Sequence, residues 1–144
     1  MILSTRSQVI VAIQIAGSAY AAMTLLAILP GLNDDAITWL FHGVLLAVAV
    51  AGFVSGLLFW TGKAAGYFGS IITHALQIPM IITAALGYEL ALGIGVFLKI
   101  TGPIKLVEIQ FGASAILATM PGQRTAIVAV NLYAVFALMY LVRD

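Results

Sequence analysis

Cysteine is absent from this 144-residue chain, and charge is nearly so, at 8% of residues. Without thiols there is no disulfide, no thiolate metal site, no iron–sulfur cluster and no thiol redox chemistry. A soluble domain has nearer a quarter of its residues charged. So few charges cannot cover a water-facing surface, so the sequence predicts lipid as the main solvent and the bilayer as the first partner. A net charge of +1 with no basic run gives no surface for nucleic acid. No polar segment is long enough to fold as a separate soluble domain.

What remains is apolar sequence, 63% of the chain, in long runs. About 20 helical residues cross roughly 30 Å of hydrocarbon. On that measure the sequence predicts an all-α integral membrane protein with a single transmembrane domain over residues 1–144. Its expected form is a four-transmembrane-helix bundle with helices over about 7–29, 36–61, 65–93 and 125–142. Arg6 followed by an apolar run and the small-residue pattern Ala19-Tyr20-Ala21 has the outline of a secretory leader. The run continues to Leu29, however, which is spanning length and predicts a retained helix.

Punctuation supports these bounds. Pro30-Gly31 ends the first helix, and Asn33, Asp34 and Asp35 can cap the second. Ser7, Gln14, Gly17, Ser18 and Ala21 form a small, weakly polar stripe suited to close helix packing, as do Gly52 and Gly56. Between the second and third helices lies only the break at 60–67. Pro79 is expected to kink the third helix and to free the Ala75 carbonyl. Ser70, His74, Gln77, Tyr88 and Glu89 then share one polar arc of that helix.

The connection 94–124 carries Lys99, Lys105, Glu108 and Gln110, too polar for a fifth span. Val107, Ile109 and Phe111 alternate with Glu108 and Gln110, which is the period of a strand. A short β-hairpin over about 96–118, turning at Gly102-Pro103, is expected to lie outside the hydrocarbon. The alternative is a re-entrant helix over 113–120, closed by Pro121-Gly122. Basic residues place both termini in the cytoplasm, with Arg6, Lys63 and Arg143 on that side. Lys99, Lys105 and Arg124 fall on the other. The compartment expected is the cell membrane, multi-pass, of the bacterial inner type.

Polar side chains within the spans are the candidate site. At the helical rise, Gln14, His74 and Gln77 form a layer in the cytoplasmic half. His42, Glu89 and Asn131 form a second, each within roughly 10 Å of the outer end. Tyr88 adjoins Glu89. Gln14, Gln77 and Asn131 read first as interhelical hydrogen-bonding glue. His42 and Glu89 are ionisable and read as a pair for a cation, a proton or a polar ligand. His74 reads as an imidazole bonded to Gln77 or to a carbonyl freed by Pro79. The two histidines differ by roughly 18 Å in height, so they are not the axial ligands of one haem. No metal site, phosphate loop or nucleophile–base pair is evident, and no cofactor is expected. Small multidrug exporters are similar in size, but the glutamate expected in their first helix has no match here.

These readings rank three functions. The first is an accessory subunit or homo-oligomer without catalysis, contacting a membrane protein partner or itself through the hairpin or a small-residue helix face. The second is a transporter or channel for a small cation or proton along the polar face of the third helix. The third is a lipid-headgroup protein with His42 and Glu89 as base and acid.

Overall fold

A computed structural model describes residues 4–31, 35–83, 85–101, 104–118 and 125–143. The elements are α1 (Thr5–Ile28), ending in a 3-10 turn, Leu29–Gly31, α2 (Ala36–Trp60) and α3 (Ala64–Leu76). They continue as β1 (Pro79–Ile82), β2 (Gly87–Thr101), β3 (Ile104–Ala118), β4 (Ile127–Asn131) and α4 (Leu132–Arg143). The four strands form one antiparallel sheet in the order β1-β4-β2-β3.

The fold is therefore mixed α/β, and the expected all-α four-transmembrane-helix bundle is wrong. Among the described residues, only α1 with its terminal turn, Thr5–Gly31, and α2, Ala36–Trp60, are helices long and apolar enough to cross a membrane. The third helix stops at Leu76 rather than near Gly93. Pro79 is the cause. A proline disfavours helical geometry at the residue before it, so Ile78 turns extended and the chain leaves as β1. The Ala75 carbonyl is not freed, because the Ile78 amide donates to it at 3.2 Å. The fourth helix begins at Leu132, with strand β4 before it. The hairpin is also longer than expected, two strands of 15 residues. Residues 113–118 are strand, which removes the re-entrant helix there. Asn33, Asp34, Gly102-Pro103, Pro121-Gly122 and Arg124 lie outside the described residues.

The sheet closes on itself. The start of β2 pairs with β1, Ile82↔Gly87 and Ile81↔Tyr88. The end of β2 pairs with β4, Phe97↔Asn131 through Ile100↔Val128. β1 and β4 pair with each other. β2 thus wraps around the β1–β4 pair and meets both of its edges. Met80, Ile82, Ala91, Phe97 and Ala129 fill the inside of this ring. Alternate residues of β2 face the other way: Leu90 and Leu92 pack with Ala21, Leu25, Leu45 and Ala49 of α1 and α2.

β2 can wrap because it bends at Gly93, paired across the hairpin with Gly112. Both have φ near +100° (103° and 102°), where L side chains are disfavoured. α1 crosses the ribbon at this bend. A Cβ on Gly17 would fall 2.2 Å from the Gly93 nitrogen, so only glycine permits the approach. At the other end of the helices, Ile10, Val11, Phe59, Ala137 and Leu141 join α1, α2 and α4. The N-terminus of α1 and the C-terminus of α4 therefore lie at the same end of the molecule.

Candidate functional site

Between its contacts with β1 and β4, the inner edge of β2 runs from residue 89 to 96 without a strand beside it. Backbone amides buried there need acceptors. Gln77 supplies one: its Oε1 accepts the Leu92 amide at 2.8 Å, and its Nε2 donates to the Thr73 carbonyl at 3.1 Å. Asn131 supplies another: its Oδ1 accepts the Val96 amide at 3.1 Å and the Ala134 amide at 3.4 Å. Gln77 sits where helix becomes strand and Asn131 where strand becomes helix. The Asn131 amide donates to the Ile78 carbonyl at 2.8 Å, so the two junctions lie side by side.

Asn131 accordingly joins Gln77 at one level, and the expected outer layer of His42, Glu89 and Asn131 does not form. His42 is buried and bonds through Nε2 to the Leu25 carbonyl at 2.7 Å, tying α2 to α1. Glu89 is buried in β2, on the face shared with Ala91, opposite to Leu90 and the α1–α2 packing. It has a polar partner of its own. The His42–Glu89 pair is not brought together. Tyr88, on β2 rather than on a helix, donates its hydroxyl to the Leu76 carbonyl at 2.5 Å.

Gln14 acts as glue between helices. Its Nε2 donates to the Gly52 carbonyl at 2.8 Å and to Ser55 Oγ at 3.1 Å. Gly52 is the crossing point of three helices: a Cβ there would lie 2.7 Å from Ser18 Oγ and 3.2 Å from Thr73 Cγ2. The Gly52/Gly56 pattern thus packs within the chain.

His74 is fully buried, and neither ring nitrogen has a hydrogen-bond partner among the described residues. The same holds for Ser70 Oγ one turn earlier, Ser18 Oγ, Gln14 Oε1, Asn131 Nδ2 and the Tyr133 hydroxyl. Tyr133 lies edge-on to His74, with ring centroids 6.2 Å apart. The expected bond from His74 to Gln77 is absent, because both ends of the Gln77 amide are engaged elsewhere. Buried polar groups of this kind are costly without partners and suit ordered water or a small hydrogen-bonding ligand. Tyr133 was not legible as a member of this group; its only signal is its place two residues after Asn131. No set of three His, Cys, Asp or Glu among the described residues could hold a metal ion.

The second candidate is the outer edge of β3. Pairing with β2 uses one side of β3 along its length, and no described strand pairs with the other. Val107, Ile109 and Phe111 stand out on one face, 64%, 60% and 81% exposed. On the opposite face Glu108 accepts from Lys99 Nζ at 2.5 Å and from Gln110 Nε2 at 2.6 Å. The Lys99 hydrogen bond, with that of Gln110 second, holds the Glu108 carboxyl below its ordinary range. No family model matches the chain, and neither a curated protein nor a solved structure is significantly similar to it.

Proposed function

We propose that this chain is an integral protein of the cell membrane, with both termini cytoplasmic. In this reading it works by association, as an accessory subunit or a homo-oligomer, through the open edge of β3. The observation that carries it is that edge, bearing Val107, Ile109 and Phe111 with no described strand against it. An exposed apolar strand edge templates pairing with another strand. Within a bilayer the demand is stronger, because unpaired backbone groups cannot face hydrocarbon. The bend of β2 packs on Gly17, mid-way along α1, so the ribbon lies beside a helix of spanning length. Exposed Trp39 and Trp60 at opposite ends of α2 fit two interfacial belts.

The absence of cysteine makes the test direct. Phe111→Cys, alone in the chain, is expected to give a disulfide-linked dimer in membranes under mild oxidation. A photoreactive residue at 111 is expected to give a discrete adduct if the partner is another protein. A chain that yields neither, and stays monomeric at every concentration, overturns the proposal.

A second reading is passage of a proton or small cation through the buried polar group. The two ring nitrogens of His74, without a hydrogen-bond partner among the described residues and beside Tyr133, favour it. It predicts pH-dependent flux in proteoliposomes that His74→Phe abolishes, and unchanged flux in that variant sinks it.

A further inference from the structure

We propose that the groove between the N-terminal half of α1 and α4 holds an acyl chain of an anionic glycerophospholipid, whose phosphate is bound by Arg6. The inference rests on the membrane reading above, and concerns a face remote from β3. α1 and α4 touch at Ile10, Val11, Ala137 and Leu141, and beside that contact they leave an open groove of about 360 Å³. That volume falls in the range of roughly 300–1,000 Å³ common to ligand sites. Val9 on α1 and Phe136 on α4 form its exposed apolar walls, and Tyr133 lines it too. Arg6 and Tyr140 complete the lining at the end nearest the termini. Such a lining takes hydrocarbon, and in a bilayer a laterally open apolar groove is adjacent to lipid chains.

Charge selects the headgroup. The Arg6 guanidinium lies over the Tyr140 ring, 5.5 Å from its centroid, and has no ion pair among the described residues. A guanidinium stacked on a ring keeps its N–H edges free for the planar, two-oxygen contact that a phosphate offers. Lys63, in the turn after α2, and Arg143, at the end of α4, lie at the same end of the helices as Arg6. The acids among the described residues are elsewhere. Asp35 caps the opposite end of α2, Glu89 is buried in β2, and Glu108 is bonded to Lys99. This end is therefore cationic without a described acid to offset it, and complements a net-negative headgroup rather than a zwitterionic one.

The experiment is native mass spectrometry of the full chain released from nanodiscs of equimolar phosphatidylglycerol and phosphatidylcholine. The wild-type chain is expected to retain phosphatidylglycerol in preference. Arg6→Gln is expected to lower that preference about fivefold, the factor one basic side chain contributes near an anionic surface. Val9→Trp, an exposed position, is expected to fill the groove and lose both lipids while the fold survives. Equal retention of the two lipids, or a preference that Arg6→Gln leaves intact, overturns the inference. So does a wild-type dimer that Val9→Trp splits without changing lipid retention, since the groove would then belong to a second copy. A chain that does not insert into nanodiscs overturns the membrane reading itself. A chain that inserts without lipid preference overturns this inference alone.

Discussion

Gln77 reaches across from the end of α3 to accept the Leu92 backbone amide of β2, 15 residues away, at 2.8 Å. A side chain here takes the place of a missing strand. Asn131 does the same for Val96 from the other junction. These two carboxamides give the Leu92 and Val96 amides of β2 acceptors where helices and strands share one level of the structure.

Gln77→Leu therefore leaves the buried Leu92 amide without an acceptor. A loss of about 1–3 kcal/mol is expected, the cost of one unsatisfied buried group. Asn131→Leu is expected to cost more, because the α4 cap at Ala134 is lost as well. Thermal unfolding in detergent, each variant against the wild-type chain, checks the order.

Gly17→Val tests the crossing of α1 over the bend. A Cβ there meets the backbone of Gly93, which cannot move aside as a flexible side chain can. Overpacking costs typically about 1–3 kcal/mol in a tolerant core, and more is expected against a backbone. Gly43→Val, which has nothing within 4 Å of its added Cβ, is the matched control. Folded yield by size exclusion should fall for the first and not for the second.

His74→Phe removes two buried nitrogens that have no partner among the described residues. If the imidazole serves packing alone, the melting temperature should hold or rise, since an unsatisfied polar group is replaced by an apolar ring. Stability retained together with proton flux lost in liposomes would assign His74 to transport rather than to the core.

Glu108 gives a pH dependence of known sign. Its carboxyl lies below the ordinary value of 4.5, because Lys99 and Gln110 donate to the charged form. The unfolded chain takes up a proton there first. The pair thus adds stability at neutral pH, and that addition fades as pH falls from 4.5 through the lower folded value. The Glu108 side chain is 43% exposed, so the effect is small, under about 1 kcal/mol. Unfolding midpoints measured against pH should fall less steeply between 4.5 and that lower folded value for Glu108→Gln than for the wild type.

Ile109→Lys puts a charge on the open edge of β3 where Ile109 is 60% exposed. The fold should survive, and any oligomer built through β3 should separate, as read by light scattering in detergent. A charge on an edge strand is the usual guard against such pairing.

α1 and α2 were legible because their signals agree: apolar runs of spanning length, a Pro30-Gly31 stop and an Asp35 cap whose carboxylate accepts the Thr38 amide at 3.0 Å. The sheet was not. β1 and β4 have four and five residues, too few for a period to separate strand from buried helix. Hydropathy runs straight through Pro79, so the proline read as a kink when Ile78-Pro79 is a stop. β2 did carry a signal. Small or polar Glu89, Ala91, Gly93 and Gly95 alternate with Leu90, Leu92, Ile94 and Val96. That is period two, hidden by the high hydropathy of both sets. The misplacement of Asn131 has the same root. Residues before it rise about 3.3 Å each as strand, not about 1.5 Å as helix, and the count from the outer end shifts accordingly. The bonds of Gln14 were anticipated in kind, whereas the separation of His42 from Glu89 follows from β2 being a strand with two opposed faces.

The ring of β1, β4 and β2 also orders events during synthesis. β2 and β3 can form their hairpin as soon as both have emerged, because their contacts are local. The second half of β2 must wait for residues 127–131, which follow β3 in the chain. A nascent chain stalled before residue 127 would hold β2 with an open inner edge and Val96 without its acceptor. Pairing of β4, rather than hairpin formation, is then the step that commits this protein to its final shape, and a chain cut before β4 presents a cellular protease with a strand it can grasp.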